Sequence, residues 1–330
     1  MSGDTRAFEA LADTVGYRIT ARLSDVERKL EEIVGDRAKP ASAPGLNTLR
    51  AGGKRLRPLL VLTCGAIPDA DAEQDAALIR AAAAVELVHM ATLVHDDVLD
   101  DAALRRGRPT IYAAYGRPAA VHTGDLLFAQ AFEELTKSGD AAQVRALSEA
   151  SSGLARGELL QREDAWNAAV TRDRYMLRCT LKTARLFEAA AKLGAHAGGR
   201  AGLAETLSAF GAKVGLAFQL ADDVLDVVAS TEQTGKTRGA DLLDGTVNLP
   251  LIVAAERDPS LTQLDLRAID TDEHAAAVCD RIADTGAPEV VLEEARRLVA
   301  DAKALLDGNV SVAERAVFES IADQAVGRSF

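Results

Sequence analysis

The sequence contains few aromatic residues, few cysteines and no excess of positive charge. Aromatic residues make up 4% of the 330 residues, and there are only three cysteines, Cys64, Cys179 and Cys279. Three distant cysteines without CxxC spacing indicate neither a disulfide framework nor a zinc site. A net charge of -12 argues against nonspecific nucleic-acid binding, which depends on a basic surface. We expect no nucleic-acid partner, and we interpret Cys64, Cys179 and Trp166 as packing residues.

Long apolar runs without charge are also absent. The longest apolar stretch, residues 79–94, contains Arg80, Glu86 and His89, which make it too polar to span a bilayer. The N-terminal residues include acids and have no long apolar run, so they do not resemble a secretory signal. Because 48% of the residues are apolar, a chain of this length can bury a large core. We predict a globular, cytoplasmic protein without a transmembrane segment.

Helix-forming residues dominate the sequence. Alanine is abundant and β-branched residues rarely alternate with polar ones, which favours an all-α fold. Between 201 and 228, apolar residues recur at three- and four-residue spacing and predict one long buried helix. A second long helix is predicted from Asp69 or Asp71 to about Asp101, because acids suit a helix N-terminus. No linker separates two compositionally distinct halves, so we predict a single domain over residues 1–330.

Segments rich in Gly and Pro divide the rest of the chain. Because these residues interrupt helices, breaks are predicted at 40–53, 107–118, 194–202 and 235–250. The segments between them predict further helices near 5–34, 55–67, 119–137, 141–163, 171–193, 246–256, 271–284, 287–307 and 311–326.

One pentapeptide, Asp-Asp-Val-Leu-Asp, occurs twice, at 96–100 and at 222–226. Residues four apart share a helix face, so Asp96 projects beside Asp100, and Asp222 beside Asp226. A single motif of this kind in an acidic protein is usually a solvated patch. Both copies lie inside apolar runs, however, where uncompensated carboxylates are costly to bury. The repeat therefore predicts a bound cation.

Hard carboxylate oxygens favour Mg²⁺, which binds through one or two carboxylates together with substrate phosphates and water. Two such pairs facing each other across a helical bundle would hold a diphosphate through bridging ions. Basic residues supply the complementary charge in a Gly-rich turn at 52–58 and in a segment at 104–110 that follows the first aspartate motif. Neither segment has P-loop spacing. Positive clusters in an acidic chain predict a small anionic ligand.

Five segments resemble, in order, the signature motifs of the polyprenyl synthetase family. They cover residues 52–250 and read GGKRLRP, ELVHMATLVHDDVLDDAALRRGRPT, KTARLFEAA, FQLADDVLD and GKTRGADLLDGTVNLP. The resemblance implies an isoprenoid-synthase-type helical bundle around a central hydrophobic cavity. It also implies a Mg²⁺-dependent trans-prenyl diphosphate synthase that condenses isopentenyl diphosphate with an allylic diphosphate such as farnesyl or geranylgeranyl diphosphate. A homodimer packed through helices is a further implication.

The resemblance assigns roles to individual residues, with three Mg²⁺ ions as the expected metal set. The metal ligands would be Asp96, Asp100 and Asp222, and the supporting or water-mediated ligands Asp97, Asp223 and Asp226. Isopentenyl diphosphate would be bound by Lys54, Arg57, His89 and Arg106. The allylic substrate would be contacted by Arg105, Lys182, Thr183, Gln219 and Lys236.

The implied reaction needs charge neutralisation more than a side-chain base. Ionising an allylic diphosphate leaves an anion that Mg²⁺, Lys182, Lys236 and Arg105 would neutralise. The isopentenyl double bond then attacks the carbocation, and the proton that is lost can pass to the departing diphosphate. The Thr183 hydroxyl and the amide oxygen of Gln219 would stabilise the carbocation as dipoles.

Product length is expected to depend on small side chains that precede the first aspartate motif. Helical spacing places Thr92 one turn before the motif and Val88 another turn before it, with Ala91 alongside. In the family, bulky aromatic residues near the positions of Ala91 and Thr92 close the pocket early. Their absence implies products longer than farnesyl diphosphate. Phe128 and Phe132 share a helix face and could form a deeper floor, although such a pair is also typical of an ordinary core.

Other functions are less well supported. A ferritin-like di-metal oxidase is all-α, and residues 86–89 match its ExxH pattern, but the second ExxH is missing. A terpene cyclase would need an Asn/Ser/Glu-type second motif, whereas residues 222–226 repeat the first. A non-catalytic subunit of a heteromeric synthase would lose substrate contacts, and both intact motifs disfavour it. A geranylgeranyl or farnesyl diphosphate synthase is a further alternative. The chain also departs from the family at Ala240 and Thr246, where members often have lysines.

Overall fold

The computed structural model describes residues 19–35, 45–46, 48–49, 52–65, 71–229 and 237–327. Almost all of them lie in helices, which confirms the predicted all-α fold. The helices are α1 Ile19–Val34, α2 Leu56–Cys64, α3 Ala72–Leu99, α4 Ile111–Thr136, α5 Ala141–Asp164, α6 Arg172–Cys179, α7 Arg185–Ala197, α8 Ala204–Val228, α9 Ala240–Leu243, α10 Leu249–Arg257, α11 Asp272–Asp284, α12 Ala287–Ala304 and α13 Val312–Val326. A π-helical turn at Thr180–Ala184 joins α6 to α7. Short 3-10 turns lie at Ala201–Leu203, Pro259–Gln263 and Leu266–Ala268.

Strands are confined, within the described residues, to one small antiparallel hairpin. It consists of β1 Leu104–Arg105 and β2 Arg108–Pro109, with Leu104 opposite Pro109. The two residues between the strands form the turn. The hairpin follows α3 and precedes α4, so it lies beside the first aspartate motif in the chain.

Most predicted helices end within a few residues of the observed ends. Of the helix predicted at 5–34, only the part from Ile19 onward is described, and Asp69 also lies outside the described residues. The helix predicted at 246–256 begins later, at Leu249, because Asn248 caps it by accepting a hydrogen bond from Leu251 N at 3.2 Å. The helix predicted at 171–193 is interrupted by the π-helical turn.

Helix α3 has a strong N-terminal cap and a tightly packed middle. The Asp71 carboxylate accepts hydrogen bonds from Glu73 N and Gln74 N, both at 2.9 Å, and Gln74 Oε1 accepts one from Asp71 N at 3.1 Å. This capping box fixes where the helix begins. Residues 81–88 are all buried, including four consecutive alanines. Such small side chains allow neighbouring helices to approach closely.

The predicted break at 107–118 continues into the beginning of α4. Gly116 has φ 81° and ψ 168°, values that are not helical, and Pro118 follows two residues later. A glycine adopts this positive φ without steric cost, and the proline disrupts the helical hydrogen bonding. The regular part of α4 therefore begins near the predicted residue 119.

The contacts divide the chain into two compact units, each built from three segments. The first consists of residues 1–151, 186–211 and 305–321. Within it, α3 packs against α1, α2 and α4. The second consists of residues 152–185, 212–304 and 322–330, and within it α10 packs against α6, α11 and α12. The single domain expected from the sequence stays a prediction.

Helix α3 is long and apolar enough, by length and composition alone, to cross a membrane. The expectation that its charges exclude this was therefore too strong. About two thirds (67%) of its most apolar window is buried inside the structure, and core helices of soluble proteins pass the same test. The helix is weak support for a membrane segment, and its burial is typical of a core helix.

Candidate active site

The first aspartate motif lies at the C-terminal end of α3. Asp100 follows the last helical residue, and its backbone N–H donates to the Asp96 carbonyl oxygen at 2.9 Å. Asp96 is half-buried and Asp100 is exposed. The C-terminus of a helix carries partial negative charge, so two carboxylates there are unfavourable without a cation. Their placement fits the predicted cation site.

Asp97, the second acid of this motif, has a different environment. It is 5% exposed, and Arg105 Nε donates to its Oδ1 at 2.6 Å. Burial raises the pKa of Asp97, against the opposing effect of Arg105. The hairpin turn after Arg105 consists of Arg106 and Gly107, with φ values of 52° and 72°. Two-residue turns of this kind need positive φ at both positions, which makes the hairpin tight. The ion pair between Arg105 and Asp97 connects this hairpin to α3. The hairpin carries two predicted substrate ligands, Arg105 and Arg106.

Arg55, in the GGKRLRP turn, is fixed by several hydrogen bonds to other parts of the first unit. It has φ 49° and stands at the N-terminus of α2. Its guanidinium donates to Glu86 at 2.7 Å, to the Leu49 carbonyl at 3.2 Å and to both carboxylate oxygens of Glu27. The two carboxylates outweigh burial and raise the pKa of Arg55. Arg55 therefore connects α1, α2 and α3.

Arg57, two residues later, has a different environment from Arg55. Among the described residues, no acceptor takes a hydrogen bond from its buried Nε, and its guanidinium carbon lies 4.6 Å from the centroid of the Phe187 ring. Burial lowers the pKa of Arg57 to about 10, although Glu86 opposes this. Arg57 is still cationic at neutral pH. A half-buried cation that keeps a donor without a described acceptor is suited to bind an anion.

His89 lies within the influence of the same arginines. Burial, together with Arg57, Arg106, Arg55 and Arg105, holds the pKa of His89 well below its usual value. The imidazole is therefore neutral and can donate one N–H. Burial and the neighbouring arginines likewise lower the pKa of Arg106. The sequence placed these residues in separate motifs, and the structure brings their charges together within the first unit.

Asp223, in the second aspartate motif, is buried and accepts several hydrogen bonds. It is 4% exposed and accepts hydrogen bonds from Tyr175 Oη at 2.6 Å, Gln219 Nε2 at 2.8 Å and Leu249 N at 3.3 Å. Burial, with Asp241 and Asp222, raises the pKa of Asp223 above its usual range, against the effects of Tyr175 and Gln219. Asp222 and Asp226 are half-buried. These contacts fit the supporting role predicted for Asp223.

The segment 239–248 contributes contacts to this motif that sequence reasoning missed. Asp226 Oδ2 accepts a hydrogen bond from Asp241 N at 3.3 Å, and Asp241 Oδ2 accepts one from Asn248 Nδ2 at 3.1 Å. The only signal for Asp241 and Asn248 was their place in the last of the five motifs. Ala240 and Thr246, which replace family lysines, lie in the same segment, and Thr246 N donates to the Asp241 carbonyl at 2.7 Å.

Lys182 and Thr183 lie in the π-helical turn, a feature often found at functional sites. Lys182 Nζ donates to Glu158 Oε2, while Arg162 Nε donates to Glu158 Oε1 at 2.9 Å. The two cations outweigh burial and lower the pKa of Glu158. Thr183 Oγ1 donates to Gln219 Oε1 at 2.7 Å. The structure thus brings Thr183 and Gln219 together, and it identifies Glu158 as a partner that the sequence did not indicate.

The predicted chain-length residues lie on α3 and α4. Val88 and Ala91 are fully buried. Phe128 stacks against His95, with ring centroids 5.9 Å apart, which places it level with the first aspartate motif. Since α4 follows α3 after a short hairpin and packs along it, the two helices are antiparallel. Phe132 therefore lies one turn further from the motif, and the floor formed by Phe128 and Phe132 stays a prediction.

Thr92, the remaining chain-length candidate, is half-buried, and its Oγ1 donates to the His89 carbonyl at 2.8 Å.

A family model described as polyprenyl synthetase matches residues 39–285. The chain belongs to the polyprenyl synthetase family. It is therefore a transferase with the all-α isoprenoid synthase fold. One relative is the heptaprenyl diphosphate synthase component 2 of Geobacillus stearothermophilus, 38% identical over 87% of this chain and 89% of the relative. Another is the geranylgeranyl diphosphate synthase of Methanosarcina mazei, 33% identical over 96% and 99% of the two chains.

Solved structures agree with this assignment. The polyprenyl synthase of Caulobacter crescentus CB15, complexed with calcium and isoprenyl diphosphate, superimposes with a TM-score of 0.88 at 34% identity. The match covers 97% of each chain.

The acids of this polyprenyl synthetase suit a hard divalent cation. Both motifs offer only carboxylate oxygens, which Mg²⁺ prefers, and those of the first stand at the negative end of a helix. Among the described residues, no three His, Cys, Asp or Glu side chains form a ready-made metal cluster. This is expected for Mg²⁺, which commonly takes part of its coordination from substrate phosphates and water.

One predicted substrate ligand of the synthetase, Lys236, lies outside the described residues. Lys54 is described and exposed, next to Arg55 in the same turn. The remaining predicted ligands fall into two sets. The first unit holds Lys54, Arg57, His89, Arg105 and Arg106, and the second holds Lys182, Thr183 and Gln219.

Gly157 on α5 is required for the position of Lys182. A Cβ at Gly157 would lie 2.5 Å from Lys182 N and 2.9 Å from Lys182 Cα. Because these are backbone atoms, Gly157→Ala is expected to shift the π-helical turn, destabilise the protein by about 1 to 3 kcal/mol and lower turnover roughly tenfold. Thermal unfolding and steady-state kinetics measure both effects.

The matched control is Gly153→Ala, one turn earlier on the same helix. A Cβ there would lie 3.2 Å from Arg185 Cγ, a side-chain atom, and 3.7 Å from the nearest backbone atom, Leu181 O. In a helix interior, alanine is otherwise favoured over glycine by about 1 kcal/mol. Equal losses in the two variants would show that the backbone contact with Lys182 is unimportant.

Proposed function

We propose that this chain is a Mg²⁺-dependent trans-prenyltransferase that condenses isopentenyl diphosphate with an allylic diphosphate, farnesyl or geranylgeranyl diphosphate. Its product would be a linear polyprenyl diphosphate longer than C15. The observation that carries the proposal is that the two arginines Arg55 and Arg57 of the GGKRLRP turn have different partners. Arg55 is bound to carboxylates, whereas the buried Nε of Arg57, whose charge acts on the neutral His89, has no acceptor among the described residues. A cation that keeps such a donor favours the binding of an incoming anion.

In this proposal, isopentenyl diphosphate is the anion bound in the first unit. Arg57 and Arg106 contribute charge, His89 contributes an uncharged N–H donor, and Lys54 adds a cation from the exposed turn. Glu86 is buried nearby and offsets part of this positive charge. The positive charge that Glu86 does not offset would favour the binding of a diphosphate.

The allylic diphosphate is assigned to Arg105, Lys182 and Lys236, with Asp96, Asp100 and Asp222 as the residues that hold Mg²⁺. The metal would supply Lewis-acid neutralisation of the leaving diphosphate. Lys182, fixed by Glu158, adds charge at the same group, and Arg105 is fixed by Asp97 in the same way. Rigidly held cations stabilise a developing anion better than mobile ones, because little reorganisation is needed.

The Thr183 and Gln219 side chains are assigned to the carbocation. Their mutual hydrogen bond, continued from Gln219 Nε2 to Asp223, fixes the direction of both dipoles. Amide and hydroxyl oxygens held in this way can stabilise a carbocation electrostatically. The proton lost after the condensation would pass to the departing diphosphate, so no side-chain base is assigned.

The proposal extends to assembly and location. We infer a homodimer with three Mg²⁺ ions in the active site, as the family resemblance implies, and a cytoplasmic location, which the three distant cysteines without CxxC spacing favour. The relative named component 2 of a heptaprenyl diphosphate synthase favours one alternative, in which the chain needs a second subunit for activity. A geranylgeranyl diphosphate synthase is a second alternative, favoured by the Methanosarcina mazei relative.

One experiment separates these possibilities. The purified chain alone is incubated with farnesyl diphosphate, isopentenyl diphosphate and Mg²⁺, diphosphate release is measured, and the dephosphorylated products are sized against chain-length standards. Release with any elongated product supports the prenyltransferase reaction. Products longer than C20 support a medium- to long-chain synthase, and release that stops at C20 favours a geranylgeranyl diphosphate synthase. No release would favour the requirement for a second subunit.

The two substrate assignments predict opposite kinetic effects. Arg106→Ala is expected to raise the KM for isopentenyl diphosphate by about ten- to a hundredfold, because a charged hydrogen bond contributes about 1.5 to 3 kcal/mol. The KM for the allylic substrate should change little. Lys182→Ala is expected to act in the opposite way, on the allylic substrate and on turnover. If steady-state kinetics gave the reverse selectivity, the two substrate sites would have to be exchanged.

A further inference from the structure

Phe187, in the KTARLFEAA motif, contacts Arg57, a predicted ligand of isopentenyl diphosphate. It lies on α7, is 1% exposed, and has the guanidinium carbon of Arg57 at 4.6 Å from its ring centroid. The face of an aromatic ring carries negative charge and attracts a cation at this distance, more strongly when water is excluded. Phe187 is too deeply buried to present a surface of its own to substrate.

Arg57 has few other groups to fix its direction. Its side chain carries a buried Nε without an acceptor among the described residues, whereas the donors of Arg55 are held by Glu27, Glu86 and Leu49. The lowered pKa of Arg57 reflects the same loss of water. A long side chain in this position would sample several rotamers unless packing restricts it.

We propose that Phe187 is a positioning residue for isopentenyl diphosphate: its ring holds the Arg57 guanidinium by a cation–π contact, so that the remaining donors stay directed at the diphosphate. This inference rests on the proposed function, because it takes Arg57 as a ligand of that substrate. It assigns to a buried phenylalanine an effect on substrate affinity that packing alone would not produce.

The first test is Phe187→Leu, which removes the ring and keeps an apolar side chain. Binding of isopentenyl diphosphate is measured by calorimetry, together with steady-state kinetics for both substrates. We expect Kd and KM for isopentenyl diphosphate to rise about 3- to 30-fold, the range that a cation–π contact accounts for. The KM for the allylic substrate and the kcat should stay within about twofold of the wild-type values.

The matched control is Phe210→Leu. Phe210 is fully buried in the same unit, and its ring packs edge-on against Phe318 at 5.2 Å between centroids, with no cation in that contact. Both variants lose a buried ring, so both should unfold at lower temperature. Only Phe187→Leu should weaken the binding of isopentenyl diphosphate, and equal affinities in the two variants would overturn the inference.

A second test avoids the loss of volume. Replacing Phe187 by phenylalanines with one, two and three ring fluorines keeps the shape and weakens the negative face stepwise. Affinity for isopentenyl diphosphate should fall steadily along the series, whereas a purely structural role predicts no trend. Arg57→Ala separates the inference from the proposed function. If Arg57→Ala binds like the wild type, the assignment of Arg57 to isopentenyl diphosphate and the role of Phe187 both fail; if it binds weakly while the fluorinated series is flat, only the role of Phe187 fails.

Discussion

Replacing Asp96 or Asp222 with alanine is expected to reduce turnover by about a thousandfold or more, while the protein stays folded and helical. Each change removes one proposed Mg²⁺ ligand, and the leaving diphosphate then loses several kcal/mol of neutralisation. About 4 kcal/mol corresponds to a thousandfold change in rate. Turnover at saturating Mg²⁺ and far-ultraviolet circular dichroism measure the two parts of the prediction.

Stability should be affected far less than rate. Asp96 and Asp222 are half-buried, and at least for Asp96 the position at a helix C-terminus is electrostatically unfavourable without a cation. The control is Asp173→Asn, which removes an exposed acid in the first turn of α6, outside both motifs, and should leave turnover unchanged. Near-normal activity in Asp96→Ala or Asp222→Ala would exclude that aspartate as a metal ligand.

Ala91→Phe is expected to shorten the product to about the C15 to C20 range while the first condensation continues. Ala91 is fully buried on α3, one turn before the first motif, so a phenyl ring there would occupy the path proposed for the growing chain. The aspartates are untouched, and the reaction centre should still work. Chromatography of the dephosphorylated products, beside the wild-type products, measures the change.

Overfilling a packed helix interface also costs about 1 to 3 kcal/mol, so unfolding temperature must be compared as well. Ala82→Phe is the matched control. Position 82 lies nine residues before 91, half a turn out of phase on the same helix, and is also fully buried. It should carry a similar stability cost without shortening the product. A folded, active Ala91→Phe enzyme with wild-type chain length would show that the chain does not pass this face of α3.

For the acids of the two motifs, the sequence predicted the shared helix face and the kind of cation but not the hydrogen-bond partners. Spacing alone indicated which carboxylates share a helix face, and the residue type indicated a hard cation. Spacing did not indicate that Asp97 would be buried against Arg105, or that Asp223 would accept three hydrogen bonds. Apart from Gln219, one helical turn before Asp223, their partners are 8 to 48 residues away in the chain, so only packing brings these together.

The basic turn illustrates the same limit. Arg55 and Arg57 are two residues apart and chemically identical, and the sequence offers no reason to separate them. Tertiary contacts do so, because Arg55 meets Glu27 and Glu86 while Arg57 meets the Phe187 ring. Glu158, which holds Lys182, was missed because a single glutamate in an acidic chain carries no pattern.

The sequence by itself determined the helical class of the fold, the approximate extent of most helices and the chemistry of the ligands. These properties follow from local periodicity, from residue composition and from the hardness of carboxylate oxygens, none of which needs a distant partner. The tertiary structure decided which charged side chains are fixed in ion pairs, which keep a buried donor without a described acceptor, and which buried groups they contact. Those outcomes depend on burial and on contacts between residues far apart in the chain. Two residues of the same type can therefore have different roles when their desolvation or one of their partners differs.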